Sequence, residues 1–314
     1  MENKYYIHKE AVEVLEAIKA SGERPMQEMT FQEARTVSDA RGIRLNFERR
    51  EDVSSEDIKI KGRNGELTVR LYNADPEKKK PVLIYVHGGG MVVGSIEVCD
   101  AQCRQLAKEV DCIVTSLEYH LAPEFKFPIG VEDAIDGAEW VYNNIEKYGG
   151  DTSHMAVMGE SSGGAQSAVI ANTWRDLGRD NLKAQILIYP VCDYSIDYES
   201  YEKYKEGYFF TKAKAIWMWE LFLRSWDDVN DPLCSPIKWD RFDNLPPTLF
   251  ITSGLDPLYD GARAYADKLK EARNIVEFQC YESWPHGFFY WGKTYAGRRA
   301  LLSSINMLKE LLYA

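Results

Sequence analysis

Residues 155–170 read MAVMGESSGGAQSAVI, and this stretch decides the fold of the 314-residue chain. Its apolar first half is typical of a buried strand, and the small residues further on are typical of a closely packed helix. Between them lies a Gly-x-Ser-x-Gly pattern centred on Ser161. A sharp turn between strand and helix strains the serine backbone and exposes its hydroxyl beside the free amides of the helix N-terminus. The stretch therefore predicts that Ser161 is a nucleophile.

Apolar strands and amphipathic helices alternate around this motif. The strand candidates cover 112–119, 155–159, 185–191, 248–254 and 276–282, and the helix candidates cover about 97–109, 129–147, 162–177, 257–273 and 296–312. Near-continuous apolar strands separated by helices predict an α/β fold, in which a mostly parallel sheet carries helices on both faces. No linker divides the chain, so residues 1–314 are predicted to form a single domain.

The first strand patterns of the chain lie outside this alternation. They occur at 58–60, 66–72 and 82–86, and no helix pattern separates them. Consecutive strands without a crossover helix are typical of hairpins. We therefore predict antiparallel pairing among these three strands.

Helical segments without strands of their own occur in two places. At the N-terminus, residues 5–20 have amphipathic spacing, and Thr30 and Glu33 predict a capping box that starts a second helix. Between the strand candidates 185–191 and 248–254 lies an insertion with an aromatic-rich helical stretch at 204–226. We expect both segments to lie together over one edge of the sheet.

A serine hydroxyl needs a general base, and the choice of histidine is narrow. In folds built around this motif the histidine follows the serine in the chain. Only His286 does so, in the loop sequence SWPHGFFYW that follows the last strand candidate. The four other histidines precede Ser161, and they are His8, His87, His120 and His154.

The imidazole in turn needs a carboxylate that holds its tautomer. Asp256 follows an apolar strand directly, which places it at the same sheet edge as Ser161. Asp193 follows the preceding strand and is the alternative. Asp260 lies about one helical turn beyond Asp256, where capping or solvent exposure is the simpler interpretation.

The glycines of VLIYVHGGGMVVGS, residues 82–95, end another buried strand. Without side chains, their N–H groups can approach a substrate oxygen that becomes negatively charged. We predict an oxyanion hole formed by the amides of Gly88, Gly89 and Ser162. A phosphate-binding loop is the competing interpretation, but its Gly-Lys-Ser/Thr or Gly-x-Gly-x-x-Gly pattern is missing.

Composition excludes several classes of function. Lys plus Arg is 38 and Asp plus Glu is 49, which gives a net charge of 38 − 49 = −11 and argues against a nucleic-acid partner. The six cysteines have no zinc-ligand spacing, so reduced thiols, no metal and no cofactor are predicted. No apolar stretch has the length of a signal peptide core or membrane span, which favours a soluble cytoplasmic protein.

Several motifs in fixed order resemble the hormone-sensitive-lipase family of α/β-hydrolases, in its bacterial esterase branch. The resemblance extends from about residue 60 to 290. The motifs are HGGG at 87–90, YHLAPEFKFP at 119–128, GESSGG at 159–164, SP at 235–236, LPPTLFITSGLDPLYD at 245–260 and HGF at 286–288.

The resemblance implies an α/β-hydrolase fold with an eight-stranded, mostly parallel sheet and a helical cap. The cap would consist of about 1–45 and about 194–240, the same segments that lack strands of their own. The resemblance also implies the roles of Ser161, Asp256 and His286 as nucleophile, acid and base. It further implies that His87 holds the glycine loop through hydrogen bonds and transfers no proton.

Four positions depart from the family pattern. Glu160 and Ser162 stand where Asp and Ala are common, which keeps a carboxyl group and a backbone amide in place. Met91 replaces an aromatic residue after the glycines, so we expect it to reshape the substrate pocket. His120 replaces an arginine, which leaves the ion pairs of that arginine in question.

The aromatic residues of the insertion suit both helix packing and the substrate pocket. Most of them are expected to pack in a core, and we assign Tyr208, Phe209 and Trp217, together with Met91, to the pocket. Such a pocket restricts acyl length, so aryl acetates and butyrates are expected to be cleaved faster than palmitates.

These features predict a carboxylic-ester hydrolase with an acyl-enzyme intermediate, acting on small-molecule esters. The alternatives are an amide, lactone or carbamate hydrolase that uses the same groups, and a non-catalytic small-molecule receptor. The complete Ser161, Asp256 and His286 set argues against the receptor. The last strand candidate, 276–282, could pair with a second copy, so a homodimer is a further expectation.

Overall fold

The computed structural model describes residues 5–314, and all eight of its strands belong to one sheet. The strands are β1 (Ser55–Gly62), β2 (Gly65–Tyr72), β3 (Lys80–Val86), β4 (Ile113–Leu117), β5 (Gly150–Glu160), β6 (Leu182–Ile188), β7 (Thr248–Leu255) and β8 (Val276–Pro285). The helices are α1 (Lys9–Ala20), α2 (Phe31–Leu45), α3 (Asp100–Val110), α4 (Ile129–Asn144), α5 (Ser162–Asp176), α6 (Glu199–Lys203), α7 (Lys212–Phe222), α8 (Tyr259–Glu271) and α9 (Tyr295–Leu312). Residues 1–4 of the predicted cap lie outside the described part.

The sheet has the strand order β1-β2-β4-β3-β5-β6-β7-β8. β2 pairs antiparallel with β1 and β4, and every other pair is parallel. Antiparallel pairing is therefore confirmed for β1 and β2 but wrong for β3, which lies parallel between β4 and β5. Every residue of β3 is buried, and a strand buried on both faces belongs in the middle of a parallel sheet.

Side chains of β3 alternate between two hydrophobic layers, as a strand's geometry requires. Val82, Ile84 and Val86 face the layer that also contains residues of α4, α5 and α8. Leu83 and Tyr85 face the opposite layer, with residues of α3 and α9. The eight-stranded, mostly parallel sheet with helices on both faces is thus confirmed.

The helical segments without strands of their own are shorter than predicted. The capping box before α2 is present, because Thr30 and Glu33 each bind the other's backbone N–H. In the insertion, the longest helix is α7, Lys212–Phe222, rather than the whole of 204–226. Residues 204–210, which precede α7, form turns and bends. Among them, Gly207 has a φ of 87°, which a helix does not allow.

The candidate site residues lie at one edge of the sheet, at the carboxyl ends of parallel strands. Parallel strands present their carboxyl ends at the same edge, where loops carry functional side chains. His87 follows β3, Ser161 follows β5 and Asp256 follows β7. The fold therefore places three motifs that are distant in sequence at one place.

Two further observations concern the cysteines and the hydrophobicity of the helices. All six cysteines have free thiols, and all except Cys280 are buried. Within residues 5–314, none of the helices combines the length and the apolar character that crossing a bilayer requires.

Candidate active site

Ser161 occupies a strained turn between β5 and α5. Its φ of 56° and ψ of −121° place the backbone where side chains are rarely tolerated. The Ser161 N–H donates to the Ile188 carbonyl at 2.8 Å, and its own carbonyl accepts from Val191 at 3.1 Å. The strained serine predicted from the Gly-x-Ser-x-Gly pattern is confirmed.

Glycines allow this turn to pack tightly against the end of β3. A side-chain carbon at Gly163 would lie 2.1 Å from the Val86 carbonyl oxygen and 2.5 Å from that of His87. At Gly88 it would lie 2.5 Å from the Glu160 carbonyl oxygen. Any larger residue would push the two loops apart, so glycine at both positions sets the distance between the serine and the glycine loop.

The structure brings together Ser161, His286 and Asp256. The Ser161 Oγ lies 3.1 Å from His286 Nε2, and His286 Nδ1 lies 2.7 Å from Asp256 Oδ2. The other carboxylate oxygen of Asp256 accepts the N–H of Leu258 at 2.9 Å. All three side chains are buried, so the imidazole is held between hydroxyl and carboxylate with the geometry that proton transfer needs.

The two alternative carboxylates have other partners. Asp193 accepts hydrogen bonds from the Ser195 N–H at 2.9 Å and the Tyr198 hydroxyl at 3.0 Å. Asp260 accepts the N–H of Ser200 at 2.8 Å. Neither contacts the imidazole, which leaves Asp256 as its carboxylate.

The glycine loop differs in one respect from the prediction. The Gly88 N–H donates to Glu160 Oε1 at 2.5 Å, so it is not free to bind a substrate oxygen. The Gly90 N–H donates to the Ser162 hydroxyl at 2.9 Å. Within the described residues, the N–H groups of Gly89 and Ser162 have no acceptor. The prediction for the Gly88 amide is therefore wrong, because that N–H is already bound to Glu160, and the Gly89 and Ser162 amides stay as the candidates for an oxyanion hole.

A cavity of about 100 Å³ opens beside Ser161 and His286. Part of its wall is the glycine loop, and part is the loop that contains His286. Most of the remainder comes from α2 and from the segment between β6 and β7, which includes Phe209 and Phe210. The two segments without strands of their own thus meet over the candidate nucleophile.

Comparison with known proteins agrees with this geometry. A family model described as the alpha/beta hydrolase fold matches residues 83–290. An ethyl acetate hydrolase of Pseudomonas putida is 32% identical over 289 residues, which cover 90% of each chain. The chain belongs to the hormone-sensitive-lipase family of α/β-hydrolases.

Further relatives lie in the esterase branch of this family. An arylesterase of Saccharolobus solfataricus is 33% identical over 219 residues, which cover 69% of this chain and 71% of that protein. A hyperthermophilic esterase from the archaeon Pyrobaculum calidifontis superimposes with a TM-score of 0.90 at 32% identity. That superposition covers 99% of this chain and 100% of the other.

Only one of the four residues assigned to the pocket lies in the cavity wall, and that is Phe209. Met91 is buried beneath the glycine loop, where its sulfur accepts a hydrogen bond from Gln166 at 3.2 Å. Tyr208 packs edge-on against a neighbouring tyrosine, and Trp217 packs against the core. These three assignments are corrected, because a helical stretch distributes its aromatic residues over several faces and the sequence does not say which face meets the cavity.

Two cationic residues of the wall, Arg41 and Lys214, have no motif that marks them in the sequence. They come from α2 and α7, whose positions over the sheet depend on tertiary packing. Tyr290 also lines the cavity, and its place four residues after His286 is a signal that sequence reasoning could have used.

Glu160, which directly precedes Ser161, binds the glycine loop through a hydrogen bond. Besides the Gly88 N–H, its carboxyl group accepts hydrogen bonds from the hydroxyls of Tyr85, at 2.5 Å, and Tyr290. Complete burial raises the pKa of Glu160 to about 8, although the hydrogen bonds from Tyr85 and Gly88 oppose this shift. The group thus acts here mainly as a hydrogen-bond acceptor that holds the loop.

His87 binds the same glycine loop at the carbonyl group of Gly88. Burial lowers its pKa to about 4, so the imidazole is neutral at ordinary pH. Its Nδ1 lies 2.9 Å from the Gly88 carbonyl oxygen, to which it can donate, and the Tyr119 ring stacks on it at 4.3 Å. This contact is the one expected of a structural histidine.

His120, which stands in place of the family's arginine, faces a different part of the molecule. Its Nδ1 lies 2.7 Å from Asp133 Oδ2, on α4, and its N–H donates to the same oxygen at 3.0 Å. His120 is not part of the cavity wall. Among residues 5–314, no three His, Cys, Asp or Glu side chains are grouped as metal ligands would be.

Replacement of Glu160 by alanine is expected to lower kcat more than it changes KM. The Gly88 N–H and the Tyr85 and Tyr290 hydroxyls would lose their acceptor, which costs about 1–3 kcal/mol for each buried group left unsatisfied. Steady-state kinetics and thermal unfolding of Glu160→Ala measure both effects.

The Glu160→Gln variant is the matched control, because its side-chain oxygen can still accept from the loop. We expect Glu160→Gln to recover most of the kcat that Glu160→Ala loses. Wild-type kcat in Glu160→Ala would show that the carboxyl group does not position the loop.

Proposed function

We propose that the protein is a carboxylic-ester hydrolase that cleaves short-chain acyl esters through an acyl-enzyme on Ser161. The observation that carries the proposal is the 3.1 Å contact between Ser161 Oγ and His286 Nε2, both of which line the cavity. Membership in the esterase branch supports the same reaction class.

Acylation begins when the Ser161 hydroxyl attacks the ester carbonyl. His286 Nε2 accepts the hydroxyl proton, while its Nδ1–H donates to Asp256, which stabilises the imidazolium that forms. The substrate oxygen becomes negative and is bound by the N–H groups of Gly89 and Ser162. Preorganised donors of this kind contribute about 3–4 kcal/mol each in other enzymes. The imidazolium then returns the proton to the departing alcohol, and the acyl group stays on Ser161.

Deacylation repeats these steps with water. His286 removes a proton from a water molecule, whose oxygen attacks the acyl carbonyl. The same two amides bind the negative oxygen. As the intermediate collapses, the bond to Ser161 breaks, the serine oxygen takes the proton back from His286, and the free acid leaves.

We further propose that the helical segments act as a cap. Residues of α2 and of the stretch between β6 and β7 line the cavity together with the catalytic loops. Such a roof excludes water from the developing charges, which strengthens their interaction with fixed dipoles. This arrangement supports a cap drawn from about 1–45 and about 194–240 within one domain.

The cavity size supports short acyl chains. A buried water needs about 10–15 Å³ by this kind of measure, so about 100 Å³ accommodates a group of about seven to ten heavy atoms. The name of one relative, ethyl acetate hydrolase, refers to an ester with a two-carbon acyl group. The six free thiols support our proposal of a cytoplasmic location, where disulfides are rare.

Removal of the nucleophile is the central test of the proposal. We expect Ser161→Ala to lower kcat on an aryl acetate by at least about 10⁴-fold, and Asp256→Asn by about 10⁴-fold through loss of the correct imidazole tautomer. Labelling by an organophosphate, read by mass spectrometry, should place the adduct on Ser161.

Asp193→Asn is the control, because it changes the alternative carboxylate without touching His286. Its kcat should stay close to that of the wild-type protein. Undiminished turnover in Ser161→Ala, or a loss in Asp193→Asn as large as in Asp256→Asn, would contradict the assigned roles.

A series of 4-nitrophenyl esters tests the acyl specificity. We expect kcat/KM to be highest for acetate or butyrate and to fall by at least about tenfold from butyrate to decanoate, because each further methylene finds no free volume in the cavity. Initial rates below the micelle-forming concentration measure this series. A maximum at decanoate or palmitate would contradict the short-chain assignment.

We also propose that two copies associate along β8, which is an edge strand of the sheet. Next to this strand, Ile275 is 71% exposed, and Leu302 and Tyr295 of α9 are exposed as well. An open edge with adjacent apolar side chains is a surface on which a second sheet can pair.

Light scattering after size exclusion is expected to show a dimer that Ile275→Glu converts to monomer. Leu177→Glu places the same charge at another exposed position, 59% accessible, at the end of α5, which packs on β5 and β6, and it should leave the dimer intact. A wild-type monomer at all concentrations would contradict the proposal, and esterase activity need not change.

A further inference from the structure

The cavity beside Ser161 contains positive charge without a carboxylate. Its wall is mainly glycine and apolar side chains, and its charged residues within the described chain are Arg41 and Lys214. This is unusual for a protein whose net charge is −11. A site for purely apolar esters would have no use for buried cations, because burial of an unpaired charge is unfavourable.

Lys214 is the cation that lacks a counter-ion. Its side chain lies in the first turn of α7 and is only 9% exposed. Its Nζ lies 4.5 Å from the centre of the Phe209 ring and 5.8 Å from that of Phe210. Among residues 5–314, no side chain forms an ion pair with Lys214 or accepts a hydrogen bond from its amino group.

Arg41, in contrast, already has a partner. Its Nη1 lies 2.5 Å from Glu23 Oε2, in a pair that is largely buried. Its guanidinium also lies 5.2 Å from the Phe209 ring, on which Lys214 packs as well. The uncompensated positive charge of the cavity therefore belongs to Lys214, with Arg41 adding to the field around it.

The pKa of Lys214 is lowered, as expected for a buried amino group without a counter-ion. Burial lowers its pKa to about 7, and the nearby Arg41 contributes to the decrease, whereas Glu23 opposes it. A carboxylate bound next to the amino group would reverse the shift, because an opposite charge favours the protonated form.

We propose that the preferred substrates of this cavity are esters that carry a carboxylate near the scissile bond, and that Lys214 binds this carboxylate. The inference rests on the proposed esterase function and adds the substrate class. Phe209 connects the two sites, since its ring packs on Lys214 and closely against Gly287, the residue after His286. An anion held at Lys214 lies in the same small cavity as Ser161, so the ester must be short.

Matched substrates can separate charge from shape. Monoethyl succinate and ethyl 4-oxopentanoate have nearly the same acyl shape, but only the first is anionic. Acetoxyacetate and acetoxyacetone form the corresponding pair with the carboxylate in the alcohol half. For each pair, kcat/KM at pH 6.5 is measured by chromatographic quantification of ethanol or acetate release.

We expect the wild-type protein to prefer the anionic member of at least one pair by about 10-fold or more, because hydrogen bonds to charged groups are the stronger ones. The pair that shows this preference identifies the half of the ester that faces Lys214. In Lys214→Met the ratio of kcat/KM for the anionic ester to kcat/KM for its neutral partner should fall by about 10-fold or more, mainly through a higher KM for the anionic ester.

Two further variants keep the test decisive. Lys212→Met removes a lysine of the same helix that pairs with Glu202 outside the cavity, and it should retain the preference. Lys214→Arg keeps the positive charge and should retain part of it, even if Lys214→Met folds poorly.

The outcomes distinguish this inference from the function on which it rests. Hydrolysis of the neutral esters with no preference for either anionic partner would overturn the role of Lys214 and leave the esterase intact. An anionic preference that survives unchanged in Lys214→Met would also overturn it. Failure to hydrolyse any of the four esters, together with failure on aryl acetates, would reject the proposed function itself.

Discussion

The backbone of Ser161 is the constraint on which the site depends. A residue with a φ of 56° and ψ of −121° is strained, and such a conformation persists only where its surroundings hold it. Here, β6 and the residues after it bind both the N–H and the carbonyl of Ser161. Gly163 closes the arrangement from the other side, because its lack of a side chain lets α5 contact the end of β3. One turn therefore aims the hydroxyl at His286 and leaves the adjacent Ser162 amide without an acceptor among residues 5–314.

The same turn explains why the glycine loop has a fixed shape although it has few side chains of its own. Glu160 precedes the strained serine and is carried beneath the loop, where it binds the Gly88 N–H. His87 binds the Gly88 carbonyl oxygen. With both polar groups of Gly88 occupied, the Gly89 amide is the one left to face a substrate. Burial raises the pKa of Glu160 and lowers that of His87, and at Glu160 the hydrogen bonds from Tyr85 and Gly88 oppose the shift.

The sequence was sufficient for the parts of the structure that are determined locally or by chain order. The strand-turn-helix around Ser161 and the position of His286 after the last strand follow from short patterns. The place of β3 did not follow, because neighbours in a sheet are chosen by burial on both faces, and chain proximity does not determine them. The Gly88 amide was misassigned for a similar reason: its partner, Glu160, is close only in three dimensions.

The cavity wall shows the limit of sequence reasoning most clearly. The sheet and its loops supply Ser161, His286 and Asp256, which lie in or beside recognisable motifs, whereas α2 and α7 supply the charged residues of the cavity wall. Their packing brings Arg41 and Lys214 to within 5.2 Å and 4.5 Å of the centre of one aromatic ring, Phe209, from positions far apart in the chain. A change in α7 can therefore alter which esters are accepted without disturbing the hydrogen bonds that join Ser161, His286 and Asp256. The residues proposed for the reaction lie at the sheet edge and those proposed for selectivity lie on the helices that cover it, and only the first set is marked by short sequence motifs.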